Sequence, residues 1–437
     1  MRRVLFVLLI CAIAAAGQNV PDPALLAAID KIPAIDNHTH VMKVTVPGAR
    51  DTEFDALPCE TLQPSDTQFF LRPENPAILA AWKALYGYPY NDQSPQHVRD
   101  LVGARQKVIE KEGDHFPDWV LDRINTRIMF ANRVHMGRGL EAPRFVWVPY
   151  DDALLFPLNN STMADTPDRQ FFYGREEAIL KQYLADAGAG TMPRTLSEYV
   201  EKIVRPTLQS QKQHGAVAIK FEVAYLRSLA FIPTSEAEAA AVYERAMNSS
   251  AAPSKTEYKT VQDYLFEKIA EEAGRLGLAV HLHTGIGCGG YYQVAGANPL
   301  NLERMLNEPS LRATNFVLLH GGFPFTDEMA SMLTRPNVYT DTSLEPLMLS
   351  VTRAAQSIRS WLEYVPEKVL YGTDLYSGDD GAYGWDVIGW DAAHNTRYAL
   401  ALALTGMMRD GEITRAQALH MAALVLQGNA EKLYGFK

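Results

Sequence analysis

A closed (β/α)8 barrel is the fold class that this 437-residue sequence predicts. Three features point to it. Short β-rich apolar segments recur eight times, helical periodicity follows several of them, and ligand-type side chains gather where the segments end. The first segment, 34–40, reads AIDNHTH, an apolar start running into polar residues. Segments 127–131 (RIMFA) and 145–149 (FVWVP) are apolar runs of strand length. Segment 216–223 (AVAIKFEV) is apolar but for Lys220 and Glu222, while 279–283 (AVHLH) and 316–320 (FVLLH) end on histidine. Segments 338–342 (VYTDT) and 369–374 (VLYGTD) complete the eight.

The helical patterns follow. TLSEYVEKIVRPTL places Leu196, Tyr199, Val200, Ile203 and Val204 on one stripe. VQDYLFEKIAEEAGRLG repeats Val261, Leu265, Ile269 and Ala273 and closes on Gly277. ITRAQALHMAALVLQGNAEKLYG opens with Thr414 and Gln417 placed for a capping box and is expected to stop near Gly428. Strands alternating with helices predict a parallel sheet, and eight units suffice to close it. Residues 43–125 and 150–194 exceed a minimal barrel. Each follows a strand, so both are expected as insertions forming a cap over the C-terminal mouth, within one domain spanning 17–437.

The net charge of −10, without a Lys/Arg block, argues against nucleic acid or an anionic membrane as partner. A small molecule is the expected ligand, and a homo-oligomer is compatible with the composition. Residues 1–16 join Arg2 and Arg3 to a short apolar run and Ala14-Ala15-Ala16. That is the pattern of a cleaved export signal, too short for a spanning helix, and it predicts a periplasmic or secreted protein without a membrane anchor. Cys59 and Cys288 would then remain. A disulfide between them would pin the first insertion to the loop after the fifth strand; two free thiols are the alternative.

Residues two apart on a strand share a face. Asp36, His38 and His40 should therefore point together, opposite Ile35, and His281 with His283 likewise. His320 and Asp374 end their strands. If Val217, Ile219 and Phe221 pack outward, Lys220 and Glu222 face inward. In a barrel these strand ends share one mouth. Each histidine could simply cap its strand by hydrogen bonding, but so many ligand-type groups in one cavity are costly to desolvate unless something binds them. Imidazole nitrogen with carboxylate oxygen is a donor set for Zn²⁺, Mn²⁺ or Fe²⁺. For Lys220 the alternatives are a substrate carboxylate, Asp374 or Glu222 as partner, carboxylation into a bridging ligand, or an amine reaching solvent.

His38-Thr39-His40, His283 in HTG, His320 in LLHGGFPFT and Asp374 in GTD, in that order on eight βα units, resemble the amidohydrolase superfamily. Within it, the chain is similar to the amidohydrolase-related (amidohydrolase 2) group. FEVAYLRSL, NPLNLERML, NVYTDTSL and GNAEKLYGF resemble the barrel half of nodulin/glutamine-synthetase-like fusion proteins. The resemblance covers most of 30–437 and weakens across the two insertions. It implies one or two divalent ions, usually zinc, held by His38, His40 and Asp374. His283 would be a further ligand, and His320 a ligand or base. Lys220 stands where binuclear relatives carry a carboxylated lysine. His281 is additional to the pattern, a candidate for a second metal or for substrate.

The expected activity is hydrolysis of an amide, C–N or ester bond in a small, carboxylate-bearing substrate. Asp374 and His320 are the catalytic candidates, Tyr225 and Arg227 the substrate-binding ones. A metal-dependent non-oxidative decarboxylase on the same barrel competes with this reading, as does a non-catalytic exported metal- or ligand-binding barrel.

Overall fold

Eight parallel strands form in chain order. They are β1 (Ala34–Thr39), β2 (Thr126–Asn132), β3 (Phe145–Val148), β4 (Ala218–Phe221), β5 (Ala279–His283), β6 (Phe316–Leu319), β7 (Val338–Asp341) and β8 (Val369–Leu370). The structure is a computed structural model that describes residues 20–46, 49–249, 251–378 and 381–436. The expected export signal at 1–16 lies outside these residues. Among them, no helix is long and apolar enough to cross a membrane.

Regular pairing runs β1-β2-β3 and β4-β5-β6-β7-β8. Backbone hydrogen bonds join the two seams. At one, Val217 N donates to Trp147 O (3.1 Å) and Lys220 N to Pro149 O (2.8 Å). At the other, Asn37 N donates to Tyr371 O (2.9 Å), Asp374 N to His38 O (2.9 Å) and His40 N to Leu375 O (2.8 Å). The ring is a (β/α)8 barrel. Its second seam lies among the candidate site residues themselves.

Side-chain alternation divides two cores. Ile219, Phe221, Val280, Leu282, Phe316 and Leu318 point outward into the layer shared with the helices. Ala218, Ala279, Val317, Leu319 and Leu370 point inward, where Tyr434 and Phe436 of the C-terminal segment pack against them. Burial of each larger apolar side chain contributes about 1.5–3 kcal/mol. Helix Lys255–Arg275 opens with a capping box from Ser254 and Glu257, and Gly277 beyond it takes φ 68°.

Two expectations need correction. On β1, Ile35 belongs to the inward cluster, while the Asp36 carboxylate accepts hydrogen bonds from Thr373. A register irregularity between Asp36 and Thr39 changes the alternation, so His38 and His40 still face the interior although Asp36 does not. The last helix does not stop near Gly428. Capped by Thr414 and Gln417 as expected, it passes through a π turn at Leu424–Gly428 and continues as Asn429–Tyr434.

The first insertion divides in two. Helices Pro76–Tyr86 and Pro95–Glu112 pack along the barrel's flank against helix Trp385–Arg409, through Trp82, Leu85 and Trp385 and a buried Arg105–Asp386 ion pair of 2.6 Å. Residues 51–64 instead lie at the mouth. Cys59 and Cys288 form a disulfide there. Helix Pro167–Asp186 of the second insertion supports that segment, with Arg175 donating to the Asp55 and Ala56 carbonyls.

Candidate metal centre

His38, His40 and Asp374 bring one ligand atom each within 4.8 Å of one another, and all three residues are buried. Asp374 Oδ1 lies 3.0 Å from His38 Nε2 and 3.4 Å from His40 Nε2. Its Oδ2 lies 3.8 Å from His320 Nδ1. β1 supplies the two imidazoles and the turn after β8 the carboxylate, so the group forms only because the barrel closes between those strands.

Lys220 Nζ lies 3.3 Å from His38 Nε2 and 3.9 Å from Glu222 Oε1. His283 faces its neighbour, with Nδ1 3.0 Å from His320 Nε2 and Nε2 3.1 Å from the Ile286 carbonyl. It is therefore adjacent to the three-ligand group, outside it. Tyr225 sets its ring 4.8 Å from the His283 ring. Two sequence candidates are not brought to this group. His281 turns Nε2 to the Tyr434 hydroxyl at 2.7 Å, inside the barrel. Arg227 is spent on helix Lys255–Arg275, where it meets Asp263 at 2.8 Å and Gln262 at 2.9 Å. Pairing with that helix, not with a ligand, accounts for the burial of its guanidinium.

Several site neighbours escaped the sequence reading. His40 Nδ1 is 3.3 Å from Asp55 Oδ2 and 3.2 Å from the Tyr150 hydroxyl. Asp341 Oδ1 accepts from His320 N (2.9 Å) and its Oδ2 from Asn37 (3.2 Å). Ser343 Oγ lies 2.9 Å from His320 Nδ1. Asn132 sits against His38 Nδ1. Asp341 ends β7 and was open to the alternation argument; Asp55, in a segment without periodicity, carried no such signal. Together with Glu222, His40 and Asp55 form a second close group.

The electrostatics suit cation binding. Burial, with Lys220 nearby, lowers His38 to about 3. Burial holds His283 and His320 well below the usual histidine value. Burial alone would lower His40 too, but Asp55 and Asp374 outweigh it and push the imidazole up to about 10. Burial opposes ionisation of Asp374; His320, His38 and His40 overcome it and hold the carboxyl well below its ordinary value. Neutral imidazoles around an ionised carboxylate are what a divalent cation requires, and a cation would displace the proton from His40.

The donor set fits in detail. Tyr150 donates its proton to the Asn132 carbonyl, so its oxygen, like that of Asp55, accepts from His40 Nδ1–H. That leaves His40 Nε2 to face Asp374. Asn132 Oδ1 is buried without a partner, and a half-turn of the amide lets it accept from His38 Nδ1–H, freeing Nε2 there as well. His320 (φ 65°) and Asp374 (φ 57°) both adopt left-handed backbone. Such conformations cost about 1–3 kcal/mol each and collect where geometry serves function.

The amidohydrolase family model matches residues 144–436, from the start of β3 through the C-terminal helix. Protein fluG of Emericella nidulans is 27% identical over 232 residues, which are 50% of this chain and 26% of that protein. A protein described as a metal-dependent hydrolase from Lactobacillus casei superposes with a TM-score of 0.62 at 16% identity, covering 94% of this chain and 97% of its own. Uronate isomerase from Thermotoga maritima gives 0.56 at 14% identity, covering 94% and 96%. At these identities the two structures share the fold.

Proposed function

The chain belongs to the amidohydrolase family, and from that premise we propose that it is an exported, metal-dependent hydrolase cleaving an amide, C–N or ester bond in a small, carboxylate-bearing substrate. The convergence of His38, His40 and Asp374 at the barrel mouth carries this reading. In it, residues 1–16 are removed as an export signal and the remainder is one barrel domain. When bound, a divalent cation, zinc in this reading, would polarise the scissile carbonyl and make water more acidic.

The chain's own residues supply the rest. Asp374, ionised and facing both β1 imidazoles, takes a proton from the attacking water at its carboxylate and returns it to the leaving group. His320, engaged at Nδ1 by Ser343 and at Nε2 by His283, must release one of them to donate a hydrogen bond to the negative charge that develops on the substrate oxygen. Lys220, buried beside His38 and Glu222, is the cation for a substrate carboxylate. Tyr225 walls the pocket next to His283. In this reading the partner is a small-molecule substrate and no nucleic acid, in keeping with a net charge of −10 and no Lys/Arg block.

Metal analysis of the purified protein comes first, followed by a panel of N-acyl amino acids, esters, aromatic acids and uronates. Release of amine or alcohol that is lost on chelation and restored by zinc is expected. Carbon dioxide release from the acids, or aldose–ketose interconversion of the uronates, without any hydrolysis overturns the assignment. Protein without bound metal that takes none up overturns the metal reading itself.

A further inference from the structure

We propose that Asp55 is the positioning residue for His40, and that the Cys59–Cys288 disulfide holds it in place. The proposal rests on the metal reading above and adds to the barrel a carboxylate that the βα units do not supply.

His40 presents Nε2 to Asp374 and Nδ1 to Asp55 Oδ2, at 3.4 and 3.3 Å. A carboxylate on the far nitrogen fixes which nitrogen carries the proton, fixes the ring plane, and makes the other nitrogen a better donor. Tyr150 shares that task at 3.2 Å, but as a neutral oxygen. Asp55 is the charged partner, and it is buried. The Leu57 backbone N–H, at 3.0 Å, fixes its Oδ1 and leaves Oδ2 for the imidazole.

No barrel strand holds Asp55. Its segment, residues 49–64, forms no strand and leads through a single 3-10 turn at Cys59–Thr61. It is fixed from outside. Cys59 bonds Cys288 in the loop after β5, Gly290 N donates to the Gln63 carbonyl at 3.0 Å, and Arg175 grips the Asp55 carbonyl at 2.9 Å. The covalent tether lies four residues from Asp55 and joins it to the loop that follows His283. Whatever loosens the tether loosens the second contact of a candidate metal ligand.

The test measures Co²⁺ binding by its visible absorption, on oxidised wild type, Asp55→Asn, the double variant Cys59→Ser/Cys288→Ser, and the triple variant, with circular dichroism to establish folding. Asp55→Asn should weaken Co²⁺ binding roughly 10–100-fold and shift the spectrum. The double variant should weaken it in the same direction, by about 3-fold or more, and should add nothing once Asp55 is asparagine, because coupled effects are non-additive. Wild type treated with a reductant that does not bind cobalt provides the same comparison without mutation, should Asp55→Asn fail to fold. Unchanged affinity and spectrum in Asp55→Asn, an effect of the cysteine pair that persists in the triple variant, or identical binding by oxidised and reduced wild type would each overturn the proposal. If wild type binds no Co²⁺ at all, the metal reading fails instead.

Discussion

Asp374 is a single side chain with three imidazole neighbours, and its neighbours explain its charge. Replacing it with asparagine keeps the shape and removes the negative charge and the proton acceptor. Asp374→Asn should lower turnover roughly 10²–10⁴-fold, the range typical of a positioned acid–base group. Steady-state rates on the best substrate, beside an unchanged circular dichroism spectrum, check this. Glu345 offers a pH test at a carboxyl outside the three-ligand group. Burial raises its carboxyl from 4.5 to about 8, and Oε1 lies 2.7 Å from where a Cβ on Gly321 would stand. Between those two values the native protein keeps a proton that the unfolded chain has released. The Glu345 contribution to stability therefore falls as pH rises from 4.5 to 8, by an amount on the order of several kcal/mol. Glu345→Gln should flatten that part of the pH profile of the melting temperature; an equally steep profile would contradict it.

At the scale of elements, the turns after β5 and β6 control how His283 meets His320. Gly285 (φ 77°) packs so closely that an added Cβ would stand 2.2 Å from the Phe323 carbonyl oxygen. Backbone has nowhere to yield. Gly285→Ala should cost about 1–3 kcal/mol in unfolding free energy through overpacking and left-handed strain, measured by denaturant titration. The two turns would also be forced apart, with the His283–His320 contact between them. β1 shows how an element can defeat a local rule. Strict alternation puts Asp36 with His38 and His40, yet the irregularity after Asp36 turns it towards Thr373 and still directs both histidines inward. The π turn at Leu424–Gly428 similarly carries the C-terminal helix past an expected stop, so that Tyr434 reaches His281.

Across the whole molecule, covalent and ligand constraints bear on the stability of the folded chain. The disulfide closes a span of 229 residues. Its reduction should lower stability by about 2–5 kcal/mol, read as an earlier denaturation midpoint with reductant present; an unmoved midpoint would argue that the helix and loop contacts suffice alone. Zinc added to metal-free protein should raise the melting temperature. At 100 times its dissociation constant, the stabilisation expected from binding the folded state alone is about 2.7 kcal/mol. Asp374→Asn should lose most of that response, which a calorimetric scan can follow.

The sequence by itself determined the eight strands, the barrel class and the order in which His38, His40, Lys220, His283, His320 and Asp374 arrive, because strand period and strand ends are local properties of the chain. Local pattern also placed Lys220 and Glu222 inward; in the structure Lys220 lies on β4 and Glu222 just beyond its end, 3.9 Å from Lys220 Nζ. Only the tertiary structure decided the partnerships. It turned Arg227 and His281 to other residues, brought Asp55 from an aperiodic insertion onto His40, and paired Cys59 with Cys288 across 229 residues. Those outcomes depend on distances between segments far apart in the chain. Distance is created by closure of the barrel and by packing of the insertions, and no run of neighbouring residues encodes it.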